Sequence, residues 1–163
     1  MAMDAFLKID GVEGEATREG FQKQINLESF SFGAHNPTNP LGTGAGAGRV
    51  EISNFTCTKK TDKASAKMFQ ACCAGKHFPK AVITLVKAGG NSPVDYLKYE
   101  FTELFVQDIN WSASSGGDDT PAESVAFAFG TVQVTYSEQK ADGSKGPAIV
   151  AGWDLKGGKA IGG

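Results

Sequence analysis

The stretch Lys59-Lys60-Thr61-Asp62-Lys63-Ala64-Ser65-Ala66-Lys67-Met68-Phe69-Gln70-Ala71-Cys72-Cys73-Ala74-Gly75-Lys76-His77-Phe78-Pro79 decides the fold. It carries the one convincing helical pattern in a chain that otherwise reads as strands. Thr61 or Asp62 can cap the first turn, because a short side-chain oxygen accepts an N–H that has no partner inside the helix. Ala64, Met68 and Ala71 or Cys72 recur at three- and four-residue spacing and form one apolar stripe. Gly75 suits the left-handed position that ends a helix, and Pro79 cannot continue one. A helix of about three turns, from Asp62 to Ala74, is therefore predicted between strands.

Outward from the helix the period changes to two. Ala5 to Ile9, Gln24 to Gly33 and Arg49 to Thr58 read as strands before it. Ala81 to Lys87, a long strand from Val94 to Trp111, Val125 to Tyr136 and Ile149 to Leu155 follow it. Leu97, Tyr99, Phe101, Phe105, Ile109 and Trp111 are expected on one face of the long strand, interrupted by Glu103. The apolar phase switches within Gln24 to Gly33, which means a bulge or two covered faces, and again after Gly130, which suggests a bulge. Asn36 to Gly48 is rich in Gly and Pro and reads as a long loop. Lys156 to Gly163 reads as a flexible tail on a single domain spanning 1–163. About seven strands and one helix make a mainly β barrel or sandwich closed by the helix. Apolar residues on both faces of the long strands exceed the needs of one core, so self-association is expected.

Composition narrows the function. Of 163 residues 40% are hydrophobic and 21% charged, which fits a globular chain rather than a disordered one. Net charge is −2, with no basic run beyond Lys59-Lys60, so no nucleic-acid footprint is expected. Three cysteines, Cys57, Cys72 and Cys73, fit reduced thiols better than a disulfide framework. No stretch approaches ~20 apolar residues, so no membrane insertion is expected, and the N-terminus lacks an ordinary export signal.

The chemistry-bearing residues form no catalytic or metal constellation. Cys72 and Cys73 diverge by roughly 100° on a helix and cannot both bind one ion. With His77 the spacing matches no zinc pattern. A nucleophile needs a base, and only His35 and His77 exist. The Gly42 to Gly48 run leads into a strand and not a helix, so a phosphate loop is missing its N-terminus. Asp118 and Asp119 lack calcium-loop spacing. No catalytic, cofactor-binding or metal residue is assigned.

The longer motifs carry a resemblance. Thr61-Asp62-Lys63-Ala64-Ser65, Cys72-Cys73-Ala74-Gly75-Lys76-His77-Phe78-Pro79, Lys87-Ala88-Gly89-Gly90 and Tyr96-Leu97 resemble the haemolysin-coregulated protein (Hcp) family of bacterial type VI secretion. So do Phe6-Leu7-Lys8-Ile9, Gly14-Glu15, Ser29-Phe30-Ser31-Phe32-Gly33, Gln139-Lys140-Ala141-Asp142-Gly143 and Gly152-Trp153-Asp154. The resemblance implies a two-sheet β-barrel with one flanking helix. It implies six copies in a ring, rings stacked into a tube, and partners in the spike protein, the contractile sheath and the effectors that ride in the channel. It implies a structural protein with no enzymatic activity and no cofactor. The protein would sit in the bacterial cytoplasm before assembly and then be secreted outside or into a target cell without a cleaved signal peptide. Ser31, between two Phe residues, is the expected channel-lining position. Asn36, Pro37, Thr38, Asn39, Leu41 and Thr43 are the expected ring-stacking or interface loop. Two other readings stand beside this one: a monomeric barrel binding an apolar small molecule or peptide, and a small hydrolase using Cys72 or Cys73 with His77.

Overall fold

The computed structural model describes residues 3–38, 41, 48–87 and 94–162. Its strands are β1 (Met3–Ile9), β2 (Ile25–Leu27), β3 (Ser29–Ser31), β4 (Ala34–His35), β5 (Glu51–Ile52), β6 (Phe55–Lys60), β7 (His77–Lys87), β8 (Asp95–Ser112), β9 (Ala122–Ala128), β10 (Thr131–Gln139), β11 (Lys145–Asp154) and β12 (Lys159–Ile161). The single described helix is α1 (Ser65–Ala74). Ten strands form one antiparallel sheet, running β12-β11-β10-β8-β7-β1-β2 with β3, β6 and β9 branching from it; β4 and β5 make a separate ribbon. The fold is mainly β with one helix, as expected. The sheet branches, however, and does not close into a barrel, and the described residues form twelve strands where about seven were expected.

The extra strands come from breaks that the phase switches only hinted at. The predicted Gln24-to-Gly33 strand is two strands, because β2 pairs with β1 while β3 pairs with β6. Glu28 stands between them and donates its N–H to the Thr58 carbonyl at 2.8 Å. The phase change after Gly130 is not a bulge in one strand but the joint between β9 and β10. Lys159–Ile161, in the predicted tail, pairs with β11 as β12.

β8 explains the branching. Its first half pairs with β7 and β10, and its second half with β9. At the joint Glu103 has φ +53°, a left-handed backbone that a residue bearing a Cβ rarely adopts. The ladders are interrupted on both sides of it. Phe78↔Leu104 and Lys80↔Thr102 place Pro79, which lacks an N–H, opposite Glu103. On the other side lies Gly130, where an added Cβ would stand 2.9 Å from Glu103 Oε2 and 3.2 Å from its Cβ. This kink reverses the buried face. Phe101 is buried before it, and Leu104 and Val106 after it, so Phe105 is exposed and does not share a face with Phe101. A register shift between Val106 and Asp108 then returns Ile109 to the core side.

The core fills with rings. Phe55, Phe101 and Phe127 are all at most 1% exposed. Phe30 stacks on Phe55 with centroids 5.5 Å apart, and Phe101 packs on Phe129 at 4.5 Å. Each such ring contributes about 1.5–3 kcal/mol by leaving water. α1, with Ala64 at its N-cap, lays Ala64, Met68 and Ala71 against this core, the stripe read from the sequence, but the helix starts at Ser65 rather than at the predicted Asp62. Asp62 Oδ1 accepts the Ala64 N–H at 3.0 Å, while Ser65 Oγ accepts the Asp62 N–H at 2.9 Å. Gly75 ends the helix at φ +65°.

Candidate assembly surfaces

β3, β6 and β9 present a small polar face on the side away from the core. Phe30 and Phe32 turn inward against the rings, and alternation leaves Ser29 and Ser31 exposed. The rows continue in register: Ser31 opposite Thr56, which is opposite Ala126, and Ser29 opposite Thr58, which is opposite Ser124. Ser29 Oγ and Thr58 Oγ1 share a hydrogen bond of 2.6 Å.

A second surface is apolar. Tyr136 on β10 lies opposite Leu97 on β8 and Ile149 on β11. Leu97 packs on the core, but Tyr136 is 43% and Ile149 70% exposed. The core-side face of the sheet therefore runs on past the edge of its cover. Farther along the chain, at the end of β11, opens a groove of about 630 Å³ whose walls include Ile52, Val50, Trp153 and Leu155. At the other end of β8, Trp111 packs on Phe69 of α1 with centroids 5.6 Å apart, both about half exposed. An apolar face left in water is costly, which is the usual mark of a contact surface.

The β4–β5 ribbon carries the base of the glycine-rich loop. Asn36, Pro37, Thr38 and Leu41 are exposed; Asn39 and Thr43 lie outside the described residues. The two ends of the loop touch, since a Cβ on Gly48 would stand 2.6 Å from the Pro37 carbonyl oxygen.

The thiols and imidazoles are dispersed. Cys57 is buried in the core on β6, and burial pushes its thiol up to about 12. Cys72 is half-buried and Cys73 exposed. His77 packs on the Phe105 ring at 5.6 Å, and His35 is exposed on β4. Among the described residues no group of three His, Cys, Asp or Glu could hold a metal, and no helix is long and apolar enough to cross a membrane.

One polar cluster escaped sequence reasoning. Lys59 Nζ is wholly buried and donates to Glu123 Oε2 at 2.5 Å, Asp62 Oδ1 at 2.9 Å and Ser65 Oγ at 3.2 Å. Ser65 in turn donates to Glu123 Oε2 at 2.7 Å. The cluster ties β6 and β9 to the start of α1. Its signal was present, since Phe55, Cys57 and Lys59 alternate on the buried side of one strand.

Residues 6–136 match the family model described as type VI secretion system effector, Hcp. The chain is 37% identical to Protein hcp1 of Pseudomonas aeruginosa over 158 residues, covering 96% of this chain and 97% of that one. A solved structure of a type six secretion system protein superposes with TM-score 0.92 at 31% identity, covering 98% of this chain and all of the other. Hcp1 from Salmonella typhimurium superposes with TM-score 0.83 at 35% identity, covering 99% of this chain and all of the other.

Proposed function

The chain belongs to the Hcp family of type VI secretion proteins, and from that premise we propose that it is the structural subunit of the secretion tube. Six copies form a ring, rings stack, and the channel carries or chaperones effectors expelled with the spike by the contractile sheath. The observation that carries this reading is the uncovered apolar face at Tyr136 and Ile149. A neighbouring copy covers it, presenting a different surface of its own, so the contact is head-to-tail and closes as a ring. The opposite, small polar face around Ser31 becomes the channel wall. Asn36, Pro37, Thr38 and Leu41, with Asn39 and Thr43, become the contact between stacked rings. The protein is made in the bacterial cytoplasm and leaves the cell through the assembled machine.

The rival reading of a monomeric binding barrel wants an apolar internal cavity. Phe55, Phe101 and Phe127 occupy the interior instead, and the described hollows open on the surface. Negative-stain microscopy with light scattering of the purified protein tests the proposal. Six-fold rings with a mass near six chains are expected, and a dispersed monomer at high concentration overturns it.

A further inference from the structure

Two contiguous hollows flank α1. One, of about 610 Å³, lies between the 8–13 and 20–24 segments and the start of the helix; the other, of about 500 Å³, lies between the 10–12 turn, the helix flank and the start of β7. They share Asp10, Gly11, Val12 and Lys67, and Lys67 Nζ bridges the junction by donating to the Gly11 carbonyl at 3.0 Å. Together they form one long groove.

Its charge is unlike that of the rest of the molecule. Lys8, Lys23, Lys63, Lys67 and Lys76 line it, against only Asp10 and Glu13. Five of the sixteen cations and two of the eighteen carboxylates are thus gathered in one depression. The remaining eleven cations face sixteen carboxylates. Elsewhere most cations are neutralised: Arg18, Lys60, Lys80, Lys98, Lys145 and Lys156 each pair with a surface carboxylate, and Lys59 with Glu123. None of the five groove lysines has an ion pair, and the Lys8, Lys23 and Lys63 side chains have no hydrogen bond either. Gln24, in the same wall, keeps a buried side-chain oxygen with no hydrogen-bond partner. Lysines from separate segments, outnumbering the carboxylates beside them, repel one another and raise the affinity for an anion.

We propose that this groove binds an extended, carboxylate-rich peptide segment of a partner protein. The spread of the lysines selects the ligand. Lys8, Lys23 and Lys63 line the first hollow, Lys76 the second and Lys67 both, so the positive charge is divided along the groove, whereas a compact phosphate is held at one concavity. No exposed Phe, Tyr or Trp lines the groove, so it offers no platform for stacking bases. Asp10 and Glu13 repel the ligand locally and set which side chains it tolerates at those positions. The inference does not depend on the chain forming a ring.

Fluorescence anisotropy with a labelled oligo-glutamate peptide tests it on the full chain at low salt. The pair Lys8→Glu and Lys63→Glu is expected to weaken binding about tenfold or more. The charge-matched pair Lys140→Glu and Lys159→Glu, on exposed lysines outside the groove, is expected to change it about twofold or less. The neutral pair Lys8→Gln and Lys63→Gln is expected to fall between, and light scattering checks that each variant keeps the native particle size. Equal losses in the two reversal pairs, or no binding at low salt, overturn the groove. Displacement of the peptide by inorganic phosphate or a DNA duplex at lower concentration than by unlabelled peptide overturns the choice of ligand.

Discussion

Lys59 and Glu123 face each other in register across β6 and β9, their charged ends 2.5 Å apart and both side chains wholly buried. Taking two charges out of water is expensive, and the attraction between them mainly offsets that cost. The pair gains from its surroundings, because Asp62 and Ser65 also bind the ammonium.

Removing one member is therefore worse than removing both. Lys59→Met should lower unfolding stability by about 3–5 kcal/mol, leaving Glu123 buried without its cation. The double variant Lys59→Met, Glu123→Leu should recover much of that loss. Urea unfolding of both proteins checks it, and a double variant as unstable as the single one contradicts the account.

Cys57 makes a pH-dependent contribution. Its thiol is raised to about 12 by burial, from 9.0 when free. The folded state holds the proton where the unfolded state releases it, so stability is lost as pH rises from about 9 to about 12. The fall should be shallower in Cys57→Ala. Thiol labelling of the native protein at mildly alkaline pH should modify Cys73 and spare Cys57.

Glu103 and Gly130 are coupled through space. Gly130→Ala should cost on the order of 1 kcal/mol or more, because its Cβ meets the Glu103 side chain. In a Glu103→Gly background, where that side chain is gone, the same change should cost clearly less. A double-mutant cycle with no coupling would sink this picture of the kink.

Ile149→Glu places a charge on the uncovered apolar face. Ring assembly should be lost while the melting temperature of the subunit hardly changes, since Ile149 is 70% exposed in the single chain. Light scattering and calorimetry on the same sample separate the two effects.

Ser31→Gln should alter cargo retention and leave rings intact, because Ser31 is exposed on a face away from the core. Co-purification of effector measures retention, and microscopy measures assembly. An insoluble or unfolded variant would place Ser31 against the core instead.

The helix was legible because its signals are local. Met68, Ala71 and Gly75 act within a few residues of one another and each does what its type suggests, although the helix starts at Ser65 and the Asp62 carboxylate accepts the Ala64 N–H in the turn before it. The strands were legible as segments but not as a sheet. Phe105 reads as a core residue by alternation from Phe101, yet the left-handed turn at Glu103 reverses the count. Lys59 and Lys60 are one residue type at consecutive positions, yet only Lys60 is on the surface, paired with Asp118. The lysine groove was invisible for the same reason: Lys8, Lys23, Lys63 and Lys76 are far apart in the chain and meet only after folding.

By itself the sequence determined a mainly β chain with one capped helix, and its motifs determined the family. These properties rest on period, capping and turn chemistry, which neighbouring residues settle among themselves. The tertiary structure alone decided the branching of β8, the burial of Lys59 against Glu123, the uncovered face at Tyr136 and Ile149, and the gathering of lysines beside α1. Each depends on which distant segment lies across a strand, and no local propensity encodes that pairing.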